Sequence, residues 1–188
     1  MFEVNKIFCI INDLFNNNKN DWDILKEVFD KTGKWAPLIE QVCFDTLLNN
    51  EQTAKDYCEN ERPEPKKIFT GWYHKLVRGE YSEDFWKRNW ILSLFYIQSS
   101  VDHKHIINMM NRIQELFLNK CLETFDNEKA MTVYGAFHRI TGAFTALVVE
   151  SYTHVMIRGL IRLGMNEPLI ERVKQLEIKK MIDEVRSK

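Results

Sequence analysis

The chain is poor in the residues that make turns, with 7 glycines and 4 prolines among 188 residues. A β-sandwich or barrel, with a turn at every strand end, draws on many more. No segment alternates apolar and polar residues long enough to be a strand. An excess of charge is also missing: 26 basic and 27 acidic residues leave a net charge of -1. No global field therefore recruits nucleic acid or an anionic membrane, and neither is expected as a partner. Cysteine is scarce and scattered. Cys9, Cys43, Cys58 and Cys121 form no C-x-x-C pair and share no zinc-type spacing with histidine. The opening stretch, MFEVNKIFCIINDLF, carries Glu3, Lys6 and Asp13 and lacks a basic n-region and a small-residue cleavage site. It reads as an amphipathic helix rather than a signal peptide, and the expectation is a cytoplasmic protein with reduced thiols. G-x-S-x-G, P-loop, G-x-G-x-x-G and H-E-x-x-H motifs are all missing, so the chain is not expected to be an enzyme.

What is present is apolar and aromatic. Hydrophobic residues make up 45% and aromatics 12%, which excludes a disordered chain. Apolar positions at helical spacing predict a helix from about Phe2 to Leu14. A second follows, capped by Asp21 and stopped by Gly33. A third runs from about Trp35 to Leu48, with Pro37 in its first turn. A short helix over about 51–57 leads to ENERPEPKK, where Pro63 and Pro65 predict an extended connection. Helices are then expected over about 67–77, ended by Gly79, and over about 82–99, capped by Ser82. Another begins after Asp102, and a long one runs from Asn127 to about Leu163, closed by Gly164 and Pro168. The stretch 167–188 reads as a charged terminal helix. The prediction is one all-α domain over 1–188, with an extra N-terminal helix in 1–18 and a core in 20–165.

The long helix is apolar nearly all round between Met131 and Leu163, so it should be buried on more than one face. Membrane insertion is not expected. Arg139, Glu150, His154 and Arg158 interrupt the run, and the uncharged stretch 140–149 is far short of the roughly 20 residues a span needs. Gly135, Gly142, Ala143 and Ala146 place small residues where a neighbour can approach closely. They are the candidate homodimer interface, against the alternative that they pack only within the subunit.

Two segments carry a family resemblance. In LVRGEYSEDFWKRNWILSLFYIQSSVDHKHII, Gly79, Tyr81, Glu83, Phe85, Lys87 and Arg88 stand in the order of a Gly-x-Tyr-Asp-Glu turn, an aromatic and a Lys-Arg pair. In CFDTLLNNEQT, Asp45, Leu47, Leu48 and Thr53 fit a Phe-Tyr-Asp-x-Leu-Leu stretch before a Pro-Glu-Thr-like turn. Both resemble the sensor-type globins, the globin-coupled sensor and protoglobin family. A weaker match follows at Ile97, Val101 and Lys104.

The resemblance implies a globin-like fold of about eight helices, a haem pocket, and a homodimer built from the last two long helices. Where the family places its iron-binding histidine, the ungapped match puts Tyr96, with Phe95 beside it. Where the family has its distal tyrosine, this chain has Phe44. His74 is the remaining candidate for a distal polar group. Tyr96, or in a shifted register His103 or His105, is a candidate iron ligand, although a phenolate is a poor partner for ferrous oxygen chemistry. His138 and His154 are sixteen positions apart and share no ligand spacing.

The first expectation is therefore a haem-free sensory or regulatory globin. It would relay a signal through a homodimeric bundle, with an apolar small ligand or a signalling protein as input. Haem-free relatives of this kind serve as amino-terminal domains of stress-signalling scaffold proteins. The alternatives are a haem globin that binds oxygen or another gas as sensor or carrier, and a purely structural dimerisation domain. The chain ends soon after the core, as a stand-alone domain or ahead of an output domain.

Overall fold

The computed structural model describes Cys9, Ile11, Asp13 and residues 19–48, 65–80 and 82–186. All regular structure among them is helical. In order these are α1 (Lys19–Glu27), α2 (Phe29–Thr32), a 3-10 turn (Gly33–Trp35), α3 (Ala36–Leu48), α4 (Pro65–Val77), α5 (Glu83–Gln98), α6 (His103–Thr124), α7 (Asn127–Arg162) and α8 (Glu167–Arg186). The chain divides into two compact units, Met1–Val149 and Glu150–Lys188.

Most helix ends follow from local chemistry. The Ser82 hydroxyl accepts the Phe85 N–H at 3.1 Å, and Glu83 and Asp84 lie at the positive end of the α5 dipole. The Asp102 carboxylate accepts the Lys104 N–H at 3.1 Å and starts α6. Gly79 ends α4 with φ +67, and an added Cβ there would collide with the Trp22 carbonyl. The close approach of the α4–α5 turn to α1 therefore requires glycine.

Gly33 ends α2 as its C-cap, but with φ -59 it stays right-handed and opens the 3-10 turn that joins α2 to α3. Two expectations are corrected. Pro65 does not lie in an extended connection but is the first residue of α4, where its missing N–H costs no helical hydrogen bond. Asp21 is not a cap. It sits inside α1, fully buried, and its carboxylate accepts from Arg139 on α7 at 3.1 and 3.2 Å through Nε and at 2.5 Å through Nη2. The expected helix over 51–57 falls outside the described residues. Of the one over 2–14, only the helical Cys9, Ile11 and Asp13 are described.

In the first unit α3 packs on α4 and α6. Its core is a relay of rings: Trp35 meets Phe117 edge-on at 5.2 Å, and Phe117 stacks on Phe137 at 3.7 Å with the planes 4° apart. Gln114 donates to the Thr141 hydroxyl at 2.9 Å, so this buried polar pair is satisfied. The part of α7 within this unit buries Val133, Phe137, Ile140, Phe144 and Leu147 completely or nearly so. By length and composition α7 could cross a membrane. Its apolar residues here are instead covered by protein, and Arg139 on it is hydrogen-bonded to Asp21.

The second unit holds the end of α7, a turn at Gly164 with φ +94, and α8, whose start is capped by Asn166 accepting the Leu169 N–H at 2.9 Å. No residue of α8 is buried.

Candidate functional site

Residues 95 and 96 are one helical step of about 100° apart, and α5 turns them to different environments. Tyr96 points inward, 2% exposed. It borders a small gap shared with Phe69 and Trp72 of α4, Leu92 of α5, Met109 and Met110 of α6, and Phe144 of α7. No part of the gap is wide enough for a water molecule. Phe95 points outward, 52% exposed, onto an open cleft of about 330 Å³ between α4 and α5. Trp72 is common to both, with one side in the core and the other in the cleft. Its indole N–H is buried and has no hydrogen-bond partner among the described residues.

The other candidate residues scatter. Phe44 is half-buried on α3 and does not line the gap at Tyr96. His74 is turned towards the α2–α3 junction. Its Nε2 lies 3.3 Å from the Gly33 carbonyl, which can only accept, and its ring meets Phe29 edge-on at 6.3 Å. His103 is exposed at the start of α6, with Nδ1 3.3 Å from Asp102. His105 is half-buried in the same turn, and neither histidine lines the gap. Phe85 and Trp86 do not join Tyr96 either: they pack edge-on against Trp22 of α1, at 5.1 and 6.3 Å. The small residues of α7 are mostly interior. Gly142 and Ala143 are buried within the protomer, and Gly135 and Ala146 are half-buried, so close packing inside the subunit already occupies the first two.

Haem does not fit the space beside Tyr96 as built. The gap admits not even a water molecule, whereas small-molecule sites offer roughly 300–1,000 Å³, and no imidazole faces it. The iron-ligand types along it are the Tyr96 phenol and the Met109 and Met110 thioethers. Nor do the two buried thiols offer a nucleophile: burial pushes Cys121 up to about 12 and Cys43 further, so both stay protonated.

Reading the sequence for haem ligands missed the cleft. Its signal lies in spacing: Arg88, Ile91 and Phe95 fall at i, i+3 and i+7 on one face of α5, and Gly71 and Lys75 at i and i+4 on α4. Among the described residues that line it, Lys75 and Arg88 are the charged ones and none is a carboxylate.

With this geometry in place, the likenesses to known proteins can be weighed. The protoglobin family model matches residues 6–157. Among solved structures, the globin domain of the Geobacter sulfurreducens globin-coupled sensor superposes with a TM-score of 0.67 at 17% identity, over 76% of this chain and 95% of that one. That likeness shows a globin-like all-α fold. No curated protein matches.

Proposed function

The chain belongs to the protoglobin family, and on that premise we propose that it is a sensory globin domain that works without haem, as a homodimer. The observation that carries the haem-free reading is the filled space at Tyr96. Trp72, Met109, Met110 and Phe144 close in on the phenol and leave a gap too narrow for a water molecule. A close-packed interior gains dispersion energy from every such contact, and opening it for a macrocycle would forfeit that energy. What such a domain has left to sense is a ligand or a protein surface. α7 runs without a break from Asn127 to Arg162 and so belongs to both compact units. It is the element through which a change in the globin unit would reach the rest of the chain.

The dimer is supported by the second unit. Val155, Met156, Ile161, Leu163, Leu169, Val173, Leu176 and Met181 are all exposed. Apolar surface gathered in this way marks an interaction site. The buried, protonated thiols at Cys43 and Cys121 suit a reducing cytoplasm.

Absorbance of the purified chain tests the main reading. The expected spectrum has no Soret band after gel filtration, even when stoichiometric haem has been added. A band that survives, and is lost in Tyr96→Phe, would establish the second reading: a haem globin ligated through this phenol, binding oxygen or another gas. That reading is kept because Tyr96 is an iron-ligand type facing the interior between α4, α5 and α6.

A further inference from the structure

We propose that the open cleft between α4 and α5 binds a linear amphiphile: one alkyl chain with a carboxylate head. This rests on the haem-free reading and names the class of signal the domain would take. Trp72, Phe85, Ile91 and Phe95 supply the apolar walls. Ile91 and Phe95 are 51% and 52% exposed, so two large apolar side chains are left bare around a hollow. At Gly71 an added Cβ would meet nothing within 4 Å, so the α4 side of the cleft is open. The volume, about 330 Å³, sits at the lower end of small-molecule sites, room for one chain rather than a macrocycle or a helix.

The head group follows from charge. Lys75 lines the cleft from α4 and Arg88 from α5, with no carboxylate among the described lining residues, and neither makes an ion pair with a described residue. The Trp72 N–H is closed off from solvent, so it adds no donor to the open cleft. Asn89, the cleft's amide, has its NH₂ spent on the Phe85 carbonyl at 2.7 Å. Two cations lining an apolar hollow favour an anionic acceptor joined to an apolar body.

The experiment is titration of the full chain with dodecanoate below its micellar range, followed by tryptophan fluorescence and calorimetry, beside dodecanol, decanoate and haem. Expected is saturable 1:1 binding of dodecanoate, with dodecanol at least tenfold weaker. Decanoate, two methylenes shorter, should lose about fifteenfold, since each buried methylene is worth about fourfold. The double variant Lys75→Gln, Arg88→Gln should weaken dodecanoate at least tenfold and leave dodecanol unchanged. Gly71→Leu, which fills the opening at an exposed helical site, should abolish binding without lowering the melting temperature. Dodecanol binding as tightly as dodecanoate would overturn the carboxylate head, and full binding by Gly71→Leu would overturn the location. A flat isotherm would overturn the cleft proposal alone. A stable Soret band in the haem arm would overturn the haem-free reading, through a signal that the dodecanoate isotherm does not share.

Discussion

The two ends of α7 have similar composition and opposite surroundings. From Val133 to Val148 its apolar residues are buried beneath α1, α4 and α6, with Phe137 stacked on Phe117 and Arg139 hydrogen-bonded to Asp21. From Val155 to Leu163 the same kinds of residue are bare, Met156 at 61% and Leu163 at 83% exposure. The difference lies in what surrounds each part of the helix, since its own sequence is apolar on nearly every side throughout. One end is finished within the protomer. The other is proposed to be finished by a second copy.

If the first end holds the fold, damage there should be severe. Phe137→Ala removes a fully buried ring from the relay that joins α4, α6 and α7, and should cost about 3–5 kcal/mol in chemical denaturation. A cost below about 1 kcal/mol would mean that the core is looser than its packing suggests. Next comes Asp21→Ala, which strands the Arg139 guanidinium. Because Arg139 is partly exposed it can turn to water, so the expected cost is roughly 1–3 kcal/mol rather than that of a fully buried broken pair. Thermal melts of Asp21→Ala and Arg139→Met should fall together, and their double variant should be less than additive.

The other end should respond in a different measurement. Met156→Glu or Val173→Glu places a charge on an exposed apolar position. Each should weaken the dimer at least tenfold, about 1.4 kcal/mol, while leaving the melting temperature of the dilute monomer unchanged. Light scattering across micromolar concentrations checks it. A wild-type chain that stays monomeric there would remove the proposed completion of this end of α7.

How much of this was legible depended on the range of each signal. Ser82 and Asp102 act on neighbours within three residues and Gly79 ends its own helix, so these roles could be read directly from the chain; the approach of Gly79 to the Trp22 carbonyl on α1 could not. Asp21 looks like a cap by the same local rules, but its partner lies 118 residues away, and burial beside Arg139 overrides the local preference. Family alignment placed Phe95 beside Tyr96, and adjacency in sequence concealed that one helical step sends them to separate cavities. Gly142 and Ala143 were readable as sites of close approach. Which helix approaches them depends on tertiary packing, which a stripe of small residues does not encode.

The smallest energetic effect gives a direct view of the contrast. Burial raises Cys121 from the ordinary thiol value of 9.0 up to about 12. At pH 8 about one in ten thousand of these thiols is then ionised in the folded state, and modification needs the thiolate. A thiol-reactive reagent should leave Cys121 and Cys43 untouched under native conditions and label both in denaturant. A thiol introduced by Met156→Cys should react at once in the dilute monomer and more slowly where the dimer covers it. The sign of the pH dependence follows. The folded protein holds the Cys121 proton more tightly than the unfolded chain, so this contribution to stability is complete below about pH 9 and is lost as the pH climbs towards 12. Native labelling of Cys121 as fast as that of monomeric Met156→Cys would mean that α6, which packs on the buried end of α7 through Phe117, opens as readily as the bare end is exposed, and the distinction between the two ends would fail.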